Sequence, residues 1–194
     1  MNPGGRRATS PTDQGATFDA LADVFASEAE FDAWYAQVLP RVYGYVYSRC
    51  GRDAELAEEL TQETFVDAIR HRRHFEGRSD PVTWLCAIAR HRLADHYRRL
   101  DRQERGRARL VREIDVEGAD ELERTDERER IGHVLRGLPA LQRAVLVLTA
   151  LDGLTVRQAS VLVGRSERAT ESLLARARAG FRAAYGQDRG QRRG

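Results

Sequence analysis

The sequence contains no lysine: all 32 of its basic side chains are arginine, set against 30 acids. GC-rich codon usage accounts for that choice as readily as function does, so by itself it excludes little. Cysteine is scarce, with only Cys50 and Cys86. That is too few for a disulfide framework, and a reducing cytoplasm is the expected setting. Long apolar runs are missing too. The longest, Ala144–Leu148, falls far short of the roughly 20 residues that a membrane-spanning helix needs. Arg6 and Arg7 near the start have no apolar stretch behind them, so no secretory signal is read there. No stretch of useful length alternates with period two, no glycine-rich phosphate loop follows a strand, and no nucleophile is spaced for a base. His71 with His74, and His91 with His96 and Cys86, lack the further acids or thiols of a tetrahedral set. The expectation is a chain that is not an enzyme and holds no metal or other cofactor.

What is present is charge arranged in blocks. Residues 1–69 carry 5 arginines and 12 acids, a net of −7, and residues 70–109 carry 12 and 5, a net of +7. Residues 111–130 return to −5, with 4 and 9, and residues 164–194 reach +5, with 8 and 3. The total of +2 therefore hides two basic segments parted by an acidic one. Such blocks suggest a polyanion touched at two places.

Helical periodicity runs through most of the chain, which predicts an all-α fold of two small helical domains. Apolar residues recur at helical spacing from Phe18 through Val38 and Leu39, and Pro40 is expected to open a further helix through Tyr47. Cys50–Asp53 reads as a turn. The next segment places Leu56, Leu60, Phe65 and Ile69 on one face, with Glu55, Glu58, Glu59, Glu63 and Asp67 mostly on another. Asp80 and Pro81 suit a helix start, after which Trp84, Leu85, Ile88 and Leu93 form a buried stripe. Arg90, His91, Asp95, His96, Arg98 and Arg99 are left as an outer ridge, suited to the phosphates of single-stranded DNA.

Towards the C-terminus, Pro139 opens an apolar helix that ends at Asp152 and Gly153. Thr155 and Gln158 have the spacing of a capping box, Gly164 suits a left-handed stop, and Ser166 can cap the helix that follows. A short helix, a glycine turn and an arginine-studded helix make a helix-turn-helix, whose second helix can enter a major groove. Arg165, Arg168 and Arg176 would meet phosphates, and the first turns, Glu167 to Glu171, would read bases.

With these segments in view, "DAELAEELTQETFVDAI", "TWLCAIARHRLADHYRR" and "LPALQRAVLVL" with "LTVRQASVLVGRS" and "SLLARARAGFR" resemble a bacterial RNA polymerase sigma factor of the extracytoplasmic-function (ECF) group. The likeness runs from about Phe31 to Arg182. It implies a subunit that binds core polymerase through the clamp of the largest subunit and the flap of the second, and that recognises and helps to melt promoter DNA. It also implies an anti-sigma partner. Carried over to matching positions, Glu59, Leu60, Gln62, Glu63, Phe65 and Asp67 would contact polymerase. Arg78, Ser79, Asp80, Trp84, Arg90, His91, Asp95, Arg98 and Arg99 would serve the minus-ten element. Arg165, Ser166, Glu167, Arg168, Thr170, Glu171 and Arg176 would serve the minus-thirty-five element. His91 stands where the family commonly has Asn, and Thr170, Glu171 and Leu173 stand where Val, Lys and Arg are usual.

The expected organisation is a disordered segment over 1–17, a polymerase- and minus-ten-binding domain over 18–104, a charged flexible linker over 105–132, a helix-turn-helix domain over 133–186 and a basic tail over 187–194. Two other readings compete with it. A stand-alone DNA-binding regulator would leave the Thr83–Arg99 segment without a role. A helical enzyme with a DNA-binding tail would need a pocket of perturbed titratable groups.

Overall fold

The computed structural model describes residues 27–75, 77–110 and 127–191. The expectations for residues 1–17, for the Phe18–Phe25 run, for the middle of the linker and for the last residues of the tail fall outside them. Among the described residues there are seven α-helices, one short 3-10 turn and no strand.

Helix α1 spans Glu28–Arg49, and the Ser27 hydroxyl accepts the Glu30 amide at its start. Pro40 does not open a new helix, as the sequence suggested, but lies inside α1. Proline there removes the bond from residue 40 to the Ala36 carbonyl; both residues are exposed, so water can serve that oxygen. Asp53 caps α2, Ala54–His71, by accepting the Leu56 amide at 3.1 Å. After the 3-10 turn Arg72–His74, helix α3 runs from Pro81 to Leu110, with the Asp80 carboxylate accepting the Thr83 amide. These three helices make the first unit. In its interior the Phe65 ring meets Tyr35 edge-on at 4.7 Å and Trp34 at 6.1 Å, among Val38, Val42 and Leu85.

The second unit comprises α4 Glu127–Arg136, α5 Ala140–Ala150, α6 Val156–Val163 and α7 Glu167–Gln191. Both margins of the expected linker are therefore helical: α3 continues past residue 104, and α4 begins before residue 133. Thr155 and Gln158 form the anticipated capping box, each side chain accepting the other residue's backbone amide.

The two units share one apolar cluster. Val46, Cys50, Leu60, Leu93 and Tyr97 from the first are continuous with Leu141, Val145, Leu148 and Leu174 from the second. The backbones of Gly51 and Gly132 come close together across the boundary. A Cβ on Gly132 would stand 2.7 Å from the Gly51 carbonyl oxygen and 3.0 Å from the Arg52 side chain. Gly132 sits inside α4, where glycine costs a helix about 1 kcal/mol relative to alanine. The space it gives up is taken by the other unit.

Candidate nucleic-acid and partner interfaces

The helix-turn-helix forms as its sequence dictates. Helix α6 stops at Gly164, whose φ of 63° is the left-handed conformation that only glycine adopts without strain, and the Ser166 hydroxyl accepts the Ala169 amide to start α7. Ser166, Glu167, Arg168, Glu171 and Arg176 are exposed along the leading face of α7. Thr170, expected among the base readers, is fully buried, and its hydroxyl donates to the Ser166 carbonyl at 3.0 Å. The spacing Thr170, Leu174, Ala177 carries one stripe into the core, so residue 170 is a packing position. Leu173, another departure from the usual recognition helix, is half-buried and packs on that same core.

The polymerase-contact set divides in the same way. Glu59 and Gln62 are exposed on α2, whereas Leu60 and Phe65 lie inside and cannot meet a partner in this form. Leu60 with Thr64, and Phe65 with Thr61 and Ala68, follow the steps of three and four that turn one face of the helix inward. Glu63 and Asp67 are half-buried because the Arg92 guanidinium reaches across from α3 to both carboxylates. Bonding to Asp67, together with the charges of Asp67 and Glu63, raises the Arg92 pKa against the cost of burial. The sequence reading missed Val66 and placed Ile69 on the inner apolar face. Both are exposed, and with Gln62 they form a partly apolar strip on the outer side of α2 at steps of four and three.

On α3 the ridge is only partly free. His91 and Arg99 are exposed; Arg90, Asp95, His96 and Arg98 are half-buried. Arg98 pairs with Asp95 one turn away and lies 3.5 Å from the Cβ position of Gly164, at the turn of the helix-turn-helix. Ahead of α3, Arg78 and Asp80 are exposed and Ser79 is half-buried, with Arg41 at 4.0 Å from the Asp80 carboxylate. Trp84 packs on Phe75 with ring centres 5.1 Å apart, a half-buried aromatic shelf beside that loop. Burial lowers the His96 pKa below its ordinary value, helped by Arg99 and by Arg143 from the second unit.

The least anticipated site lies between the units. The side chain of Asp152, in the turn after α5, is only 1% exposed. One of its carboxylate oxygens accepts from Arg49 Nε at 2.6 Å and from the Tyr45 hydroxyl at 2.9 Å, while the other lies 3.4 Å from Arg90 Nε. Burial and the neighbouring Asp152 push the Tyr45 hydroxyl up to about 12, so it remains a donor. Burial works against the charge of Arg90, but its Tyr45 and Asp152 partners outweigh it and raise its pKa. A signal for this site was in the sequence: Asp152 is the one acid between Ile131 and Val163. Further pairs cross the same boundary. Arg52 meets Glu129, Arg136 donates to the Gly51 carbonyl, Arg165 meets Asp101 at 3.2 Å, and the Ala140 amide donates to Glu104.

The His71 and His74 rings lie with centres 5.9 Å apart and planes tilted by 48°, and no group of three or more potential metal ligands occurs among the described residues. Cys50 and Cys86 are free thiols, both pushed up by burial, Cys50 to about 11. No helix among the described residues is long and apolar enough to cross a membrane.

Comparison with known proteins finds two matching segments. Residues 34–103 match the family model of Sigma-70 region 2, and residues 128–179 match that of Sigma-70, region 4. The ECF RNA polymerase sigma factor BldN of Streptomyces coelicolor is 33% identical over 184 residues, covering 89% of this chain and 67% of BldN. The ECF RNA polymerase sigma factor SigC of Mycobacterium tuberculosis is 32% identical over 175 residues, covering 88% of this chain and 91% of SigC. Among solved structures, the sigma factor RpoE in complex with the anti-sigma factor NepR from Bartonella quintana aligns with a TM-score of 0.49 at 23% identity. That alignment covers 80% of this chain and 96% of the other.

Proposed function

Because the chain belongs to the ECF sigma factors, the promoter-recognising subunits of bacterial transcription initiation, we propose how that work is divided over its surface. The outer side of α2, with Glu59, Gln62, Val66 and Ile69, docks on the clamp of the largest polymerase subunit. The flap of the second subunit receives the helix-turn-helix unit. Arg78, Ser79, Asp80, Trp84, Arg90, His91, Asp95, Arg98 and Arg99 take the minus-ten strand. Arginines neutralise its phosphates there, and the Phe75–Trp84 shelf stacks an unpaired base. Arg165, Ser166, Glu167, Arg168, Glu171 and Arg176 take the minus-thirty-five duplex, and the Glu171 carboxylate can accept from a cytosine amino group.

The observation that carries this reading is the joint presence of both units in one chain, each with arginines on its outer surface. Two modest DNA contacts gain strength once polymerase fixes both. The chain works by binding and carries out no catalysis of its own. It acts in the cytoplasm, and a dedicated anti-sigma protein restrains it. Core polymerase pull-down tests the first surface: Glu59→Arg with Val66→Asp should weaken capture at least tenfold, with circular dichroism unchanged. Normal capture by that variant would remove α2 from the contact.

A further inference from the structure

We propose that the cleft between the far end of α3 and the opening turns of α7 binds a small phosphate-bearing ligand of the chemical class of a nucleoside triphosphate. The cleft has a volume of about 550 Å³, inside the roughly 300–1,000 Å³ of small-molecule sites. Three arginines reach it from different elements: Arg105 from α3, Arg165 from the turn before α7 and Arg176 from α7 itself. Asp101 is the one acid that lines it among the described residues, so three guanidiniums against one carboxylate give the lining a net charge of +2.

These arginines are aimed before any ligand arrives. A single Asp101 carboxylate oxygen accepts from both Arg105 and Arg165, the latter at 3.2 Å, and holds the two guanidiniums close together. Arg105 also donates to the Asp101 carbonyl, Arg165 to the Gly164 carbonyl and Arg176 to the Ser172 carbonyl. A guanidinium has about five N–H donors, so most of those the three carry are left for a ligand. Their planar forks suit the paired contacts that phosphate oxygens make, and side chains already tethered lose little freedom on binding.

The rest of the wall favours a nucleotide over a bare anion or a length of DNA. Pro139, Leu141 and Leu173 give the cleft an apolar side, with the Gln142 amide beside them to meet a ring nitrogen or carbonyl. A phosphate alone leaves that side wet, whereas a base covers it. A duplex presents its backbone on a convex surface and cannot seat between α3 and α7. Arg165 and Arg176 are also assigned above to the minus-thirty-five duplex; the cleft does not depend on that reading, and the variants below leave both arginines intact.

Isothermal titration of the full-length chain with ATP, without DNA or polymerase and at about 0.15 M salt, tests the site. Wild type should bind one ATP with a dissociation constant on the order of 0.1 mM, and inorganic triphosphate roughly tenfold more weakly. Arg105→Ala should weaken ATP binding by roughly fivefold or more, and Ser172→Glu, which sets a carboxylate in the wall, should abolish it. Both positions are exposed, so circular dichroism should match wild type. Arg102→Ala removes the same charge from an exposed position of α3 outside the cleft, and should leave the affinity nearly unchanged. A wild type that binds no ATP would overturn the site. Equal losses from Arg102→Ala and Arg105→Ala would do the same, as would inorganic triphosphate bound as tightly as ATP, since either reduces the cleft to an unspecific basic surface.

Discussion

The core inside the first unit and the seam between the units are made of different materials. Inside, Val38, Val42, Phe65 and Leu85 pack with Trp34, Tyr35 and Trp84, bulky side chains with no ion among them. The cluster that crosses the seam joins Leu60, Leu93, Tyr97, Leu141, Val145, Leu148 and Leu174 with Cys50, Ala57, Ala89, Ala140, Ala144 and Ala159, and is laced with ion pairs. Apolar burial gains about 25 cal/mol per Å², so both clusters are held by large apolar side chains, and what sets the seam apart is the ion pairs along it. Charged partners also recover much of their loss in water once they separate, which favours a contact that can part over one that cannot.

Phe65→Ala would break this contrast most severely. It should cost about 3–5 kcal/mol by leaving a cavity among Trp34, Tyr35 and Leu85, read from urea unfolding of the whole chain. A loss below about 1 kcal/mol would mean that the inner core is no firmer than the seam. Thr155→Ala probes the other unit. Losing half of the capping box should lower stability by about 1 kcal/mol with no change in compactness by scattering. His96 gives the smallest effect and reports on the seam itself, since it faces Glu59, Glu63 and Arg99 of its own unit and Arg143 of the other. Its folded pKa lies below its ordinary value of 6.5. Above that pH both the folded and unfolded states hold a neutral ring and the group contributes nothing. As pH falls below it, the unfolded chain takes up the proton more readily and stability declines. Thermal midpoints measured from pH 7 to pH 5 should therefore fall further for wild type than for His96→Gln.

Most of the helices were legible because their signals are local. Asp53, Asp80–Pro81, the Thr155/Gln158 box and Gly164 each act within one turn, and the apolar stripes name their own inner faces. Pro40 was misread because proline usually marks a beginning; here its ring lies on an exposed side of α1, where a lost backbone bond is cheap. Leu60, Phe65 and Thr170 were assigned to partners by motif position although their spacing had already turned them inward. The seam was barely legible. Its pairs join residues separated by 36 to 107 positions, as Ala140 with Glu104 and Tyr45 with Asp152 show, and no periodicity links such distant points. Only the isolation of Asp152 among arginines and apolar residues hinted at it.

Helix α3 belongs to both halves of this boundary: its early turns wall the first bundle, and its later turns carry Tyr97, Arg98, Asp101 and Glu104 to the second. Swinging the second bundle away would therefore strip one flank of a rod already committed to the first, leaving Tyr97 without the Arg143 guanidinium that now caps its ring. A bared flank of that sort needs a new neighbour.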